Sequence, residues 1–129
     1  MKIELTSVMV DDQEKARKFY TEVLGFVTKI DLPAGEARFL TVVSPQEPDG
    51  VQLLLEPNWN PAVPARAFQR QLFEAGIPAT AFAVDNIHKE YERMKEMGVV
   101  FSTEPTKTEG PTVAVFDDTC GNLIQIYQV

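Results

Sequence analysis

The stretch Val10-Asp11-Asp12-Gln13-Glu14-Lys15-Ala16-Arg17-Lys18-Phe19-Tyr20-Thr21-Glu22-Val23-Leu24-Gly25-Phe26 decides the fold, because its frame returns as Val84-Asp85-Asn86 … Met97-Gly98-Val99. In each copy an apolar segment meets a helix cap, an amphipathic helix follows, and a glycine stops it. Ala16, Phe19, Tyr20, Val23 and Leu24 recur at helical spacing as one apolar stripe. Asp11 or Asp12 caps this helix, and Asp11 with Glu14 has the spacing of a capping box. Ile87, Tyr91 and Met94 form the second stripe behind Asn86 as cap. The offset between copies is about 74 residues in a chain of 129, so a paired module fills the whole length, and two like units that pair leave a cleft.

Strand signals flank both helices. Ile3–Val10 precedes the first, and Phe26–Leu32, Arg38–Val43 and Val51–Glu56 follow it, parted by the turn chemistry of Pro33-Ala34-Gly35 and residues 44–50. Ala79–Val84 precedes the second helix, and Val99–Ser102, Thr112–Phe116 and Leu123–Val129 follow, with turns at Lys107–Pro111 and Asp117–Asn122. Each module reads βαβββ. The first covers residues 1–57 and the second 79–129. Residues 58–78 link them, with prolines at Pro61 and Pro64, Pro57 on the flank, and a short helix over Ala65–Ala75 whose Phe68, Leu72 and Phe73 are expected to point inward. The fold class is α+β: two paired βαβββ modules forming a curved mixed sheet.

Composition narrows the function classes. A net charge of −7 without a basic run excludes a phosphate-binding stripe and disfavours anionic membranes. No apolar run approaches the roughly 20 residues of a membrane span. The acidic N-terminus does not read as a signal peptide, and Cys120, the single cysteine, forms no intrachain disulfide. A cytoplasmic protein with no nucleic-acid or membrane partner is expected. Phosphate-loop, dinucleotide, nucleophile-elbow and Cys-x-x-Cys motifs are missing.

Phe19-Tyr20-Thr21-Glu22-Val23-Leu24-Gly25-Phe26, the two βαβββ modules, and Asp117-Asp118-Thr119-Cys120-Gly121-Asn122-Leu123-Ile124-Gln125-Ile126 as closing turn and last strand together resemble the vicinal-oxygen-chelate superfamily. That family holds glyoxalase I, extradiol dioxygenases, methylmalonyl-CoA epimerase, and the fosfomycin and bleomycin resistance proteins. The resemblance runs from about Ile3 to Tyr127 and implies the fold, but the scaffold hosts unrelated chemistries. It implies a cup between modules, a frequent homodimer and, in metal-using members, a divalent ion held by histidine and glutamate from the first and last strands of each module. Those positions fall here on Leu5, Gln52, Ala79 and Gln125. Leucine and alanine cannot ligate, and two neutral amides are weak ligands. The one histidine, His88, lies on the second helix and is expected to face solvent. No metal or other cofactor is expected, with an off-pattern divalent site using Glu56 or Glu4 as the alternative.

If those four positions face the cup, alternation sends Leu5, Ser7 and Met9, Gln52, Leu54 and Glu56, Ala79, Ala81 and Ala83, and Leu123, Gln125 and Tyr127 inward with them. Small alanines leave room, and Ser7, Gln52, Gln125 and Tyr127 put a few polar groups among apolar ones, the make-up of a small-molecule site. Gln52 and Gln125 either contact a ligand or bond each other or backbone across the sheet. Glu56 adds a charge and is the candidate for proton transfer. Arg38 adds a cation if its register points inward. Trp59 either pins the linker or covers the cup. Cys120 has no basic neighbour in sequence to make it a thiolate. The expected function is therefore glyoxalase/bleomycin-resistance-like binding of a small organic molecule in the cup, without metal. The alternative is a metal-dependent lyase, isomerase or dioxygenase of the same superfamily.

Overall fold

The repeat returns as topology. A computed structural model describes all 129 residues, and the chain divides into two units, Met1–Arg66 and Ala67–Val129. In the first, β1 (Leu5–Val10), β2 (Val27–Ala34), β3 (Ala37–Val43) and β4 (Gln52–Pro57) form a sheet of order β1-β4-β3-β2. In the second, β5 (Thr80–Ala83), β6 (Phe101–Lys107), β7 (Thr112–Asp117) and β8 (Leu123–Gln128) repeat it as β5-β8-β7-β6. In both, the first and last strands are parallel and the other pairs antiparallel.

The helix α1 (Gln13–Lys18) is capped by Asp12, which accepts from the Lys15 backbone N–H at 2.9 Å. Asp11 takes no part in a capping box. Its carboxylate pairs with Lys15 Nζ at 2.9 Å, because the cap lies one residue later than that spacing implies. Beyond Lys18 the backbone widens to a π-helix over Phe19–Val23, and Leu24 N donates to Phe19 O five residues back. Gly25 then takes φ +85°, a left-handed value that a side chain would oppose. Ala16, Phe19 and Tyr20 of the expected stripe are buried, as are Val8, Val10, Leu40, Val42, Leu53 and Leu55 of the sheet, and α1 lies against β3 and β4.

The second helix of the repeat, α3 (Ile87–Glu96), is capped by Asn86, which accepts from Lys89 N at 3.1 Å. Ile87, Tyr91 and Met94 are buried. Tyr91 meets Phe101 edge-on at 4.7 Å between centroids, and Phe101 meets Phe116. The strand after α3 starts at Phe101 and runs through Pro105 to Lys107, later and longer than the sequence implies. Its register shifts at two places along β7, and such irregular pairing tolerates a proline within the strand.

The linker helix α2 (Ala65–Glu74) turns a different face inward from the one expected. Phe68 is 61% and Phe73 37% exposed, while Ala65 and Gln69 are buried. The reason is polar. Gln69 Nε2 donates to Cys120 O at 3.2 Å and to Asn122 Oδ1 at 3.0 Å, so the helix is set by a turn that needs a donor.

Candidate functional site

Each sheet has one face under its helix and one face free of it. Parity assigns Val8, Val10, Leu53, Leu55, Leu40 and Val42 to the α1 side, leaving Leu5, Ser7, Met9, Gln52, Leu54, Glu56, Phe39, Thr41 and Val43 on the other. The pairing supports this, with Leu5 level with Gln52, Ser7 with Leu54 and Met9 with Glu56. In the second unit Ile124, Ile126, Ala114 and Phe116 face α3, while Ala81 stands level with Gln125 and Ala83 with Tyr127 on the free face. Ser7 is exposed, and Gln52, Glu56, Gln125 and Tyr127 are half-buried.

Gln52 is held. The Thr41 hydroxyl donates to Gln52 Oε1 at 2.7 Å and accepts from Ile30 N at 3.2 Å. The side chains of Ser7, Glu56, Gln125 and Tyr127 form no hydrogen bond within the protein. Gln52 and Gln125 also do not occupy matching positions of the repeat. Ser7 and Ala81 are matching positions of the repeat, and they stand beside Leu54 and Gln125. The first-unit counterpart of Gln125 is therefore Leu54, and that of Tyr127 is Glu56. Trp59, just past β4, is 42% exposed.

The donor set at Leu5, Gln52, Ala79 and Gln125 holds two amides and no carboxylate, imidazole or thiolate. No group of three or more His, Cys, Asp or Glu side chains comes together anywhere in the chain. Glu4 is exposed and pairs with Lys2 at 3.1 Å. His88 is exposed on α3, and Cys120 is buried.

Arg38 lies on the helix side, which removes it from the free face. It shares parity with Leu40 and Val42, and its guanidinium reaches Asp31 at 2.6 Å and Glu14 at 3.2 Å. Arg17 meets the same Glu14 at 2.7 Å. The Arg17 hydrogen bond, with Arg38 adding to it, holds the Glu14 carboxyl down at about 2. Asp31 is lowered by its hydrogen bond from Arg38, and Arg38 is raised in turn.

β8, which carries Gln125 and Tyr127, is anchored by a buried polar turn. Asp118 Oδ1 accepts from Cys120 N at 2.8 Å and Asn122 N at 3.0 Å, and Oδ2 accepts from Asn122 Nδ2 at 2.8 Å. Thr119 and Gly121 take φ +64° and +101° to close it. A Cβ at Gly121 would stand 2.8 Å from Gln69 Nε2.

Three residues with structural consequences for the site do not stand out in the sequence. Thr41 carries a signal, being the one polar side chain within Leu40-Thr41-Val42-Val43. Gln69 carries a weak one, a polar residue on a short helix rich in exposed aromatics. Gln13 carries none. Its amide donates to Arg38 O at 2.7 Å and Leu55 O at 2.8 Å and accepts from Arg38 N at 3.0 Å. It fills the gap where β3 and β4, paired only at Thr41–Leu54 and Val42–Leu53, separate.

A duplicated βαβββ topology with open, partly polar sheet faces defines a class. The chain belongs to the Glyoxalase/Bleomycin resistance protein/Dioxygenase superfamily, whose family model matches residues 2–126. It is 58% identical over 128 residues to the uncharacterized protein YurT of Bacillus subtilis (strain 168), covering 99% of each chain. Among solved structures it is similar to UcmS2, with 33% identity and a TM-score of 0.84, over 98% of this chain and 97% of that one. It is also similar to TnmS3, an antibiotic binding protein from Streptomyces sp. CB03234, with 30% identity and a TM-score of 0.79, over 99% and 95% of the two chains.

Proposed function

We propose that this protein binds a small organic molecule against a helix-free sheet face, without a metal ion and without turning it over. The observation that carries the reading is the state of the polar side chains there. In the first unit Gln52 is fixed by Thr41 and Ser7 offers an unused hydroxyl beside Leu54, and in the second Gln125 and Tyr127 offer unused hydrogen-bonding groups beside Ala81 and Ala83. A few polar groups on an apolar wall fix a ligand's orientation. The amides, leucine and alanine at the family's ligand positions do not suit a divalent ion. Similarity to an antibiotic binding protein supports the same reading.

The test has two arms. Titration with a panel of small organic molecules, antibiotics among them, followed by Trp59 fluorescence, is expected to give saturable binding by some members. Native mass spectrometry after loading with divalent metals is expected to show no retained ion. A stoichiometric, tightly held ion would overturn the metal-free reading. Glu56, half-buried on the same face without a partner, favours one competing reading, proton transfer to a bound substrate. Turnover of 2-oxo aldehydes, catechols or epoxides that is lost in Glu56→Gln while binding survives would establish it.

A further inference from the structure

We infer that Thr41 is a positioning residue, which turns the Gln52 amide so that its NH2 group points off the sheet and reads a hydrogen-bond acceptor on the ligand. The inference rests on the small-molecule reading and adds the chemistry the ligand must present at this point.

The supply of protons and lone pairs fixes the orientation. Thr41 is fully buried. Its hydroxyl has one proton to give and two lone pairs to accept with. Ile30 N takes one lone pair at 3.2 Å. That N–H lies beside a bulge, where Thr28 pairs with Val42 and Ile30 with Thr41, leaving Lys29 as the extra residue. The hydroxyl proton must then find an acceptor, because a buried donor without one is costly. Gln52 Oε1, at 2.7 Å, is the acceptor in place. Rotating the amide by half a turn would set its NH2 against the hydroxyl and orphan that proton. The bulge thus dictates the hydroxyl, and the hydroxyl dictates the amide.

Gln52 Nε2 is left with two N–H groups and no protein acceptor, on a half-buried side chain beside Leu5 and Leu54. A ligand with a carbonyl or ether oxygen over an apolar body complements this. One that offers only donors does not.

The test uses isotope-labelled full-length protein and two probes of similar shape, acetophenone, which only accepts, and ethylbenzene, which does neither. The Gln52 side-chain amide resonances are expected to shift with acetophenone and not with ethylbenzene. Thr41→Ser keeps the hydroxyl and is expected to keep this response. Thr41→Val removes it and is expected to weaken acetophenone binding by about threefold to tenfold, the factor for one lost hydrogen bond, with displaced Gln52 amide signals before any probe is added. Gln52→Glu can still accept from Thr41 but presents an acceptor outward, and is expected to weaken acetophenone binding, followed by backbone resonances, by at least the same threefold to tenfold while remaining folded. Wild-type Gln52 amide signals in Thr41→Val would overturn the positioning role, whether or not a probe binds. If no resonance on the free faces of wild type responds to acetophenone, the acceptor-ligand reading is overturned, and the probe-free comparison still decides the role of Thr41.

Discussion

Replacing Asp118 tests the claim that one carboxylate holds the turn before β8. The side chain is fully buried and accepts from Cys120 N, Asn122 N and Asn122 Nδ2 at 2.8, 3.0 and 2.8 Å. Asp118→Ala strands these three donors. Each unsatisfied group costs about 1–3 kcal/mol, and exposed Thr119 and Gly121 let water recover part of it, so about 3–5 kcal/mol is expected. That is a large share of a typical total of roughly 5–15 kcal/mol. At a urea dependence of about 1–3 kcal/mol per molar, the midpoint should fall by about 1–5 M. Asp118→Asn is the sharper probe. It keeps the oxygen that serves both backbone N–H groups and faces its new NH2 at Asn122 Nδ2. Turning Asn122 relieves that clash but points its NH2 at Gln69 Nε2, so one hydrogen bond is lost wherever the conflict settles. The expected cost is about 1–2 kcal/mol. Urea unfolding followed by circular dichroism measures both. An alanine variant within about 1 kcal/mol of wild type, or an asparagine variant as damaged as the alanine one, would refute the reasoning.

Gln13→Ala should cost about 2–3 kcal/mol by leaving Arg38 O, Leu55 O and Arg38 N without their partner, and hydrogen exchange should show the Arg38 amide losing protection before the rest of β3. Glu14 makes a pH prediction of definite sign. Its folded value of about 2 lies below the ordinary 4.5, so its contribution is complete above pH 4.5 and is lost as the pH falls toward 2. Asp31, also lowered by Arg38, adds in the same direction. Melting temperatures across that interval should fall less steeply in Glu14→Gln than in wild type, and the Glu14 carboxyl carbon should titrate near pH 2 by NMR.

The sequence displayed its repeats and withheld its compensations. Caps at Asp12 and Asn86, glycine stops, and alternation through Leu5–Val10 and Leu123–Gln128 are local properties, so both modules and the membership of each sheet face were legible. The inward face of α2 was not. Apolar residues signal burial when hydrophobicity decides, and here a buried turn needing a donor drew Gln69 in and left Phe68 out. Gln13 bridges strands 25 and 42 residues away, a partnership no local pattern encodes. Arg38 showed its parity only once Leu40 and Val42 were placed under the helix. The free face itself followed from register, but the orientation of Gln52 did not, because it depends on a bulge in β2.

The π-helical segment Phe19–Val23 also accounts for a difference in length between the two modules. Gly25 stands thirteen residues after its cap Asp12, whereas Gly98 stands twelve after Asn86. The first helix therefore holds one residue more than its twin between equivalent landmarks. A hydrogen bond reaching back five residues instead of four absorbs one extra residue without rotating the chain beyond it. The wide turn is thus where the first helix takes up the residue that its twin lacks. Removing one residue from the segment, Thr21 for example, should convert it to ordinary α-helix with Gly25 still at its end.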